Sequence, residues 1–359
     1  MIGTAMRVAR AEGLRSAARR ARERIEERVR REIALARGAF SDPGHAPLLN
    51  VLAASPASRL GGLQIQLAAR LREESALRPV AFVHPGVLEM SSKAWRARTI
   101  TEALAHTRAR AIVLEGATNM PALDADVILV LHDLAMLDNL SGRELLQRAR
   151  AIIFPSAFLR DRHREHFDLP RLDAHVIEPG LPRVALPRGN GARIAYAGSV
   201  KRHKGGHLLP EIVAAFPRHR FHVFGGGDSD LLAPLRRLPN VSVHGYYRAG
   251  ELPSLLARHD LGLTLLPSMV PEAFGLTLSE SWSAGVPAVA FDHGAQAERI
   301  RRDGGGWLAP LDRGARGIIA IVQRWLSGER TAAVPRAIAT SRDAAIAHVA
   351  LYRSLGLLD

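Results

Sequence analysis

The 359 residues are 47% hydrophobic and 23% charged, the balance of a folded chain long enough for two domains rather than one core. Cysteine is absent, which excludes disulfides, thiol nucleophiles and cysteine-based zinc sites, and suits a reducing cytoplasm. A formal charge of +14 favours anionic partners, while an aromatic content of 5% argues against the base-stacking surface of a single-strand nucleic-acid binder.

The chain opens with a predicted long helix over residues 6–40. Leu14, Ala18, Ala21, Ile25, Val29, Ile33, Ala36 and Phe40 recur every three or four residues and share one stripe. Arginines crowd the rest of its surface, and Ser41, Asp42, Pro43 and Gly44 end it. Residues 1–40 hold eleven Arg against five Glu, a local excess of +6. Such a helix either packs on the protein or lies on an anionic membrane surface. No apolar run reaches the roughly 18–20 residues that span a bilayer, and the basic N-terminus lacks the apolar core of a secretory signal.

From Pro47 onward strands and helices alternate, as in α/β domains with mostly parallel sheets. Strands are predicted over residues 48–54, 78–84, 111–115, 127–132, 151–155 and 176–178, with a helix starting over 63–71. Residues 179–191 hold three prolines and three glycines and form the best linker. A second series follows, with strands over 193–197, 220–224, 241–244, 261–266, 288–291 and 307–308. Its helices begin near Gly205, Asp230, Ala249, Leu276 and Ala295. After Leu311 the pattern is helical, ending in a helix over 343–355.

In open α/β sheets ligands bind at the carboxyl ends of strands, so candidate chemistry belongs at those ends. After the strand ending at Leu266 come Pro271, Glu272, Ala273, Phe274, Gly275 and Leu276, then Glu280 and the turn Ala284, Gly285, Val286, Pro287. Gly275 permits close backbone approach, and the amides of residues 273–276 open a helix as an anion site. Glu280 sits about one and a half turns further on and can reach along a ligand from phosphate toward sugar. Two carboxylates accepting hydrogen bonds from vicinal hydroxyls suit a sugar nucleotide. Singly, Glu272 reads equally as a helix-dipole residue and Glu280 as a solvated one.

Three further strand ends carry candidates. Gly198, Ser199, Lys201, Arg202, His203, Lys204, Gly205 and Gly206 form a basic glycine loop able to grip a diphosphate. Gly61 and Gly62 follow the first strand of the N-terminal half, either as plain turn residues or as a place of close ligand approach. His132 and Asp133 end a buried strand, where a histidine commonly serves as a core or turn residue, and Glu115 ends another.

The two glutamates separated by seven residues, Glu272 and Glu280, within this Pro-Glu-Ala-Phe-Gly-Leu frame resemble the donor-site signature of the retaining glycosyltransferases of family 4. Matches extend over roughly residues 49–311. The resemblance implies the GT-B fold: two Rossmann-like domains facing across a cleft, here with an N-terminal amphipathic helix and C-terminal helices. The implied divisions are the helix over 1–42, an acceptor domain over 47–182, a donor domain over 190–328, and helices over 329–359 that pack back toward the N-terminal domain. It also implies roles. Glu272 contacts the donor sugar, Glu280 holds the ribose hydroxyls, and the amides of Phe274, Gly275 and Leu276 meet sugar and distal phosphate. Lys204 matches the diphosphate-binding lysine, and the Gly61–Gly62 loop faces the phosphate. His132 matches the histidine near the reacting sugar. Ser199 stands where the family carries an arginine, so Lys201 or Arg202 must supply that charge or diphosphate binding is weaker.

The expected activity is transfer of a hexose from a nucleotide-diphosphate sugar to a glycan or lipid-linked acceptor in bacterial surface polysaccharide assembly. The expected place is the cytoplasm or the inner face of its membrane, without nucleic acid and without cofactor. A catalytically idle sugar-nucleotide-binding subunit is the alternative, with a basic nucleic-acid binder behind it. No metal is expected: Asp124 and Asp126 flank a strand start, Asp228 and Asp230 open a helix, and the fifteen histidines show no zinc spacing.

Overall fold

A computed structural model of the chain describes residues 14–38, 44–52, 62–91, 93–116, 125–133, 145–146, 149–167, 173–182, 191–247, 250–329, 332–335 and 338–359. Beyond the N-terminal segment the described residues divide into two compact units, one of residues 24–182 with 339–359 and one of 183–338. The division falls inside the proline- and glycine-rich stretch.

The first unit begins at Arg24, within α1 (Leu14–Gly38), whose C-terminal Gly38 approaches the backbone of Ala94 so closely that a Cβ would lie 2.0 Å from its carbonyl oxygen. The unit is built on β1 (Leu48–Leu52), β2 (Ala81–His84), β3 (Val87–Met90), β4 (Lys93–Arg96), β5 (Ala111–Glu115), β6 (Asp126–Val130), β7 (Ala149–Phe154) and β8 (Asp173–Val176). These pair in the order β4-β3-β2-β1-β5-β6-β7-β8. From β2 to β8 the neighbours are parallel, and β1 and β5 are buried along their whole length, as expected of strands covered on both faces. Helices α2 (Gly62–Glu74), α3 (Ile100–Thr107) and α4 (Ala157–His166) belong to this unit, with Thr99 and Ser156 capping the last two.

Several features depart from the sequence reading: β6 ends at Val130 rather than at residue 132, β2 begins at Ala81 rather than at residue 78, and residues 332–335 and 338–340 precede α11 without helix. The β2-β3-β4 meander is antiparallel, and its last two strands carry no periodicity long enough to read. The strand expected over 176–178 lies at Asp173–Val176, because pairing of Asp173 with Ala151 and Val176 with Phe154 sets its register. This edge strand alternates polar and apolar residues, so hydrophobicity alone does not mark it.

The second unit holds β9 (Arg193–Ala197), β10 (Phe221–Phe224), β11 (Val241–Gly245), β12 (Leu261–Leu266), β13 (Ala288–Phe291) and β14 (Gly306–Ala309), all parallel, in the order β11-β10-β9-β12-β13-β14. That is the doubly wound order, with its switch point between β9 and β12. The helices are α5 (Leu209–Ala214), α6 (Ser229–Arg237), α7 (Leu252–Arg258), α8 (Leu276–Ser283), α9 (Gly294–Asp303) and α10 (Gly314–Leu326). Separate apolar clusters cover the sheet faces. One joins Ile212, Leu263, Val289 and Ile318, and another joins Leu252, Leu278, Trp282 and Ala290. The final helix α11 (Ser341–Ser354) starts at a capping box of Thr340 and Asp343. It packs on α2 in the first unit, where Tyr352 is fully buried.

Candidate active site

The switch point of the second unit puts the loop after β9 beside the loop after β12. The two are joined directly. The Met269 amide donates to the His203 carbonyl at 2.8 Å, and Gly205, at φ +75°, lies where a Cβ would sit 2.0 Å from the Pro267 carbonyl oxygen. Any side chain at 205 would therefore force the loops apart as well as strain the backbone. Across this seam Lys204 forms an ion pair with Glu272, the lysine one-third and the glutamate one-fifth exposed. Beneath them the Tyr196 hydroxyl on β9 is shared between the carbonyls of Ser199 at 2.7 Å and Lys204 at 3.2 Å. Burial, and then the Glu272 carboxylate, push that phenol well above its usual range. The lysine-bearing turn is thus tied to the sheet.

Gly275 is the N-cap of α8, at φ +80° and with no side chain capping the helix. First-turn amides have no acceptor inside their own helix, so this end offers donors to an anion. The loop before it is locked by Arg299 on α9. Its guanidinium lies 4.0 Å from the centre of the Phe274 ring, donates to the Phe274 and Gly275 carbonyls at 3.4 and 3.3 Å, and donates to Ser279 Oγ at 2.8 Å. The Ala295 amide donates to the Glu272 carbonyl at 2.9 Å, fixing the backbone under the carboxylate. Helix α8 is pinned to β12 by Thr264 and Ser281, whose hydroxyls lie 2.7 Å apart, with Ser281 donating to the Val286 carbonyl at 2.8 Å.

Glu280 lies one face further along α8 and is 5% exposed. It accepts the Gly250 amide at 2.9 Å. Burial pushes its carboxyl up to about 7, and that single hydrogen bond only partly opposes the shift. The carboxylate also raises the buried Tyr247 phenol, after burial itself, placing Glu280 by the end of β11. It is not a solvated helix residue.

The first unit contains a pocket at the carboxyl ends of β5 and β6, lined among others by Arg70, Glu115, His132 and His348. Glu115 ends β5 at 4% exposure; it pairs with Arg70, and its other oxygen lies 3.2 Å from His132 Nε2. Burial alone would raise this carboxyl, but the charge of Arg70 and the contact with His132 hold it down to about 2. Arg70 also donates to His348 Nε2 at 2.6 Å, while His348 Nδ1 donates to the Ala344 carbonyl at 2.8 Å. His348 is therefore neutral, its pKa lowered to about 3 by burial and then by Arg70. With Glu115 ionised, His132 donates to it from Nε2.

The structure thus brings together Lys204, Glu272, Phe274, Gly275 and Leu276. Glu280 has a separate buried setting, and Ser199, Lys201 and Arg202 are exposed on the turn before Lys204. Phe274 carries its side chain inward, 5% exposed, leaving only its backbone for a ligand. His132 gathers Glu115 behind it, and Asp133 is exposed. Gly62 is the first residue of α2, while Gly61 and Asp124 lie outside the described residues. Asp126 opens β6 and pairs with Arg150; Asp228 precedes α6 as its N-cap. Sequence reasoning missed Tyr196, Arg299, Arg70 and His348. Arg70 and His348 lie 278 positions apart and share no local pattern.

Comparison with known proteins follows the same division. Residues 179–342 match the family described as Glycosyl transferases group 1. A stretch of 113 residues is 37% identical to the exopolysaccharide phosphotransferase SCO2592 of Streptomyces coelicolor, covering 29% of this chain and 12% of that protein. The chain therefore spans about an eighth of that relative's length. Among solved structures, the sucrose-phosphate synthase of Thermosynechococcus elongatus has a TM-score of 0.69 at 15% identity, over 87% of this chain and 99% of its own. Anabaena HepE, solved with UDP and glucose, has a TM-score of 0.57 at 16% identity, over 88% and 96%. The chain thus has the α/β fold of GT-B glycosyltransferases, and its residues 179–342 are similar to the glycosyl transferases group 1 family.

Proposed function

We propose that the protein is a retaining glycosyltransferase that moves a hexose from a nucleoside diphosphate to a hydroxyl of a glycan or lipid-linked acceptor in bacterial surface polysaccharide assembly. The observation that carries this reading is the Lys204–Glu272 pair, set at the switch point of a doubly wound sheet beside the uncapped start of α8. Lys204 and the α8 amides hold the diphosphate; Glu272 takes sugar hydroxyls, and Glu280 the ribose. Fixed donors aimed at the diphosphate stabilise the charge that develops as its bond to the anomeric carbon breaks. The acceptor oxygen forms the new bond on the same face, and the departing phosphate takes its proton. No metal enters this scheme. In the first unit, Glu115 holds the His132 ring at the wall of the pocket, where the ring faces the sugar.

Two comparisons support the reading from outside the chain: HepE was solved with UDP and glucose, and the partial Streptomyces relative is named for exopolysaccharide chemistry. The exposed apolar stripe of α1 supports a place at the inner face of the cytoplasmic membrane.

A thermal-shift series with UDP-, GDP-, ADP- and dTDP-sugars tests the donor site. One nucleotide is expected to raise the midpoint, and Lys204→Ala to abolish the rise. Glu272→Ala should fold normally and lose roughly 10²–10³-fold in transfer. Absence of stabilisation by every nucleotide overturns the donor site. Near-normal turnover by Glu272→Ala overturns the role of that residue, and nucleotide binding without any turnover identifies an idle subunit.

A further inference from the structure

Three histidines from three elements of the second unit meet beside the β10–β11 edge of its sheet. His222 lies on β10, His244 on the edge strand β11, and His259 caps α7 immediately before β12. Their ring centres form a nearly equilateral triangle of 5.2, 4.9 and 4.7 Å. One nitrogen from each ring falls within 4.8 Å of the other two.

These spacings are those of metal-bound imidazoles. With a zinc–nitrogen bond of about 2.0–2.1 Å, each ring centre stands roughly 3.2 Å from the ion, and tetrahedral geometry separates the centres by about 5 Å. The closest pair, His222 Nδ1 and His244 Nε2, lies at 2.9 Å and shares a hydrogen bond. A proton joins two of these rings; an ion would join all three. His222 is 8% exposed, His259 half-buried and His244 exposed, so the cluster opens to solvent on one side. Phe224 stacks on His244 at 4.5 Å between ring centres and walls the inner side.

The surroundings select the kind of ion. The set holds three imidazoles and no carboxylate. Arg193, Arg220 and Arg258 stand close to the cluster. These guanidiniums repel a hard cation held by charge alone. Mg²⁺ and Ca²⁺ require oxygen ligands, whereas Zn²⁺, Ni²⁺ and Cu²⁺ bind neutral imidazole.

We propose that His222, His244 and His259 bind one divalent transition-metal ion, Zn²⁺ foremost, which clamps the edge strand β11 to β10 and to the chain entering β12. The clamp is independent of the transfer reaction. Three protein ligands leave a fourth position for water.

The test uses the full chain, stripped with a chelator and titrated calorimetrically with ZnSO₄ or MgCl₂. One equivalent of zinc should bind in the micromolar range or tighter, and magnesium should not bind. His244→Ala, at an exposed position, and His259→Gln, at a half-buried one, should each weaken that equivalent by about tenfold or more, with unchanged circular dichroism. Cobalt(II) added to the unaltered chain should give the intense visible absorption of a tetrahedral site, a readout that needs no variant. Equal zinc binding by the chain and both variants, no binding at micromolar zinc, or a pale octahedral cobalt spectrum would each overturn the site.

Discussion

Glu280 shows how far a single residue's role depends on where its carboxylate ends up. Helical spacing is compatible with a wet or a ligand-facing side, whereas burial against Gly250 leaves it poised near neutrality at about 7. A ribose hydroxyl donating to Glu280 requires the ionised form. Nucleotide affinity should therefore rise from pH 6 toward pH 8, by up to about tenfold per unit below the pKa. Calorimetry across that range on the chain and on Glu280→Gln checks this: the variant should bind weakly with a flat profile. A wild-type profile equally flat would remove Glu280 from the ribose. Arg299 illustrates the complementary case. It touches no proposed ligand, yet it stacks under Phe274 and holds the carbonyls of 274 and 275, so it sets the direction of the α8 amides.

At the scale of elements, α1 stands out because the large apolar side chains described on its stripe are exposed. Ile25, Val29 and Ile33 are 64%, 52% and 47% exposed, where a helix packed on its own protein would bury them. Between residues 14 and 38 the helix carries nine Arg and four Glu, an excess of +5. Each arginine near an anionic surface contributes about 1 kcal/mol, which compensates for the thinness of an alanine-rich stripe. In sedimentation, the full chain should pellet with vesicles containing phosphatidylglycerol and not with neutral ones, and should be released by high salt. Replacing Ile25, Val29 and Ile33 by serine should return most of it to the supernatant. Identical recovery with and without the replacements would mean that the stripe does not enter the bilayer.

The scale of the whole molecule brings in linkage between charge and folding. Glu115 and His348 both titrate in the folded first unit far below their ordinary ranges, at about 2 and about 3. Over the interval from about 3 to 6.5 the unfolded chain binds protons that the folded chain refuses, so stability rises with pH. The contribution is complete above the unfolded histidine pKa and is lost as pH falls, by up to about 1.4 kcal/mol per unit for each group. Calorimetric midpoints of the chain and of His348→Gln should converge as pH drops from 6.5 to 4, because the variant lacks one of the two titrations. Parallel profiles would show that His348 is not held neutral.

The linear chain determined the doubled α/β pattern, the strand ends at Glu115 and Leu266, and the glycine and glutamate spacing around α8. Those features are local: they arise from periodicity, from backbone conformations that favour glycine, and from the placement of loops at strand ends. Only the tertiary structure decided which groups meet. The antiparallel β3 and β4 exist through pairing rather than propensity. Arg70 reaches His348 because α11 docks on α2, and His222, His244 and His259 converge from β10, β11 and the end of α7. Contacts across such separations leave no periodic trace, since sheet order and helix packing, rather than distance along the chain, bring the atoms together.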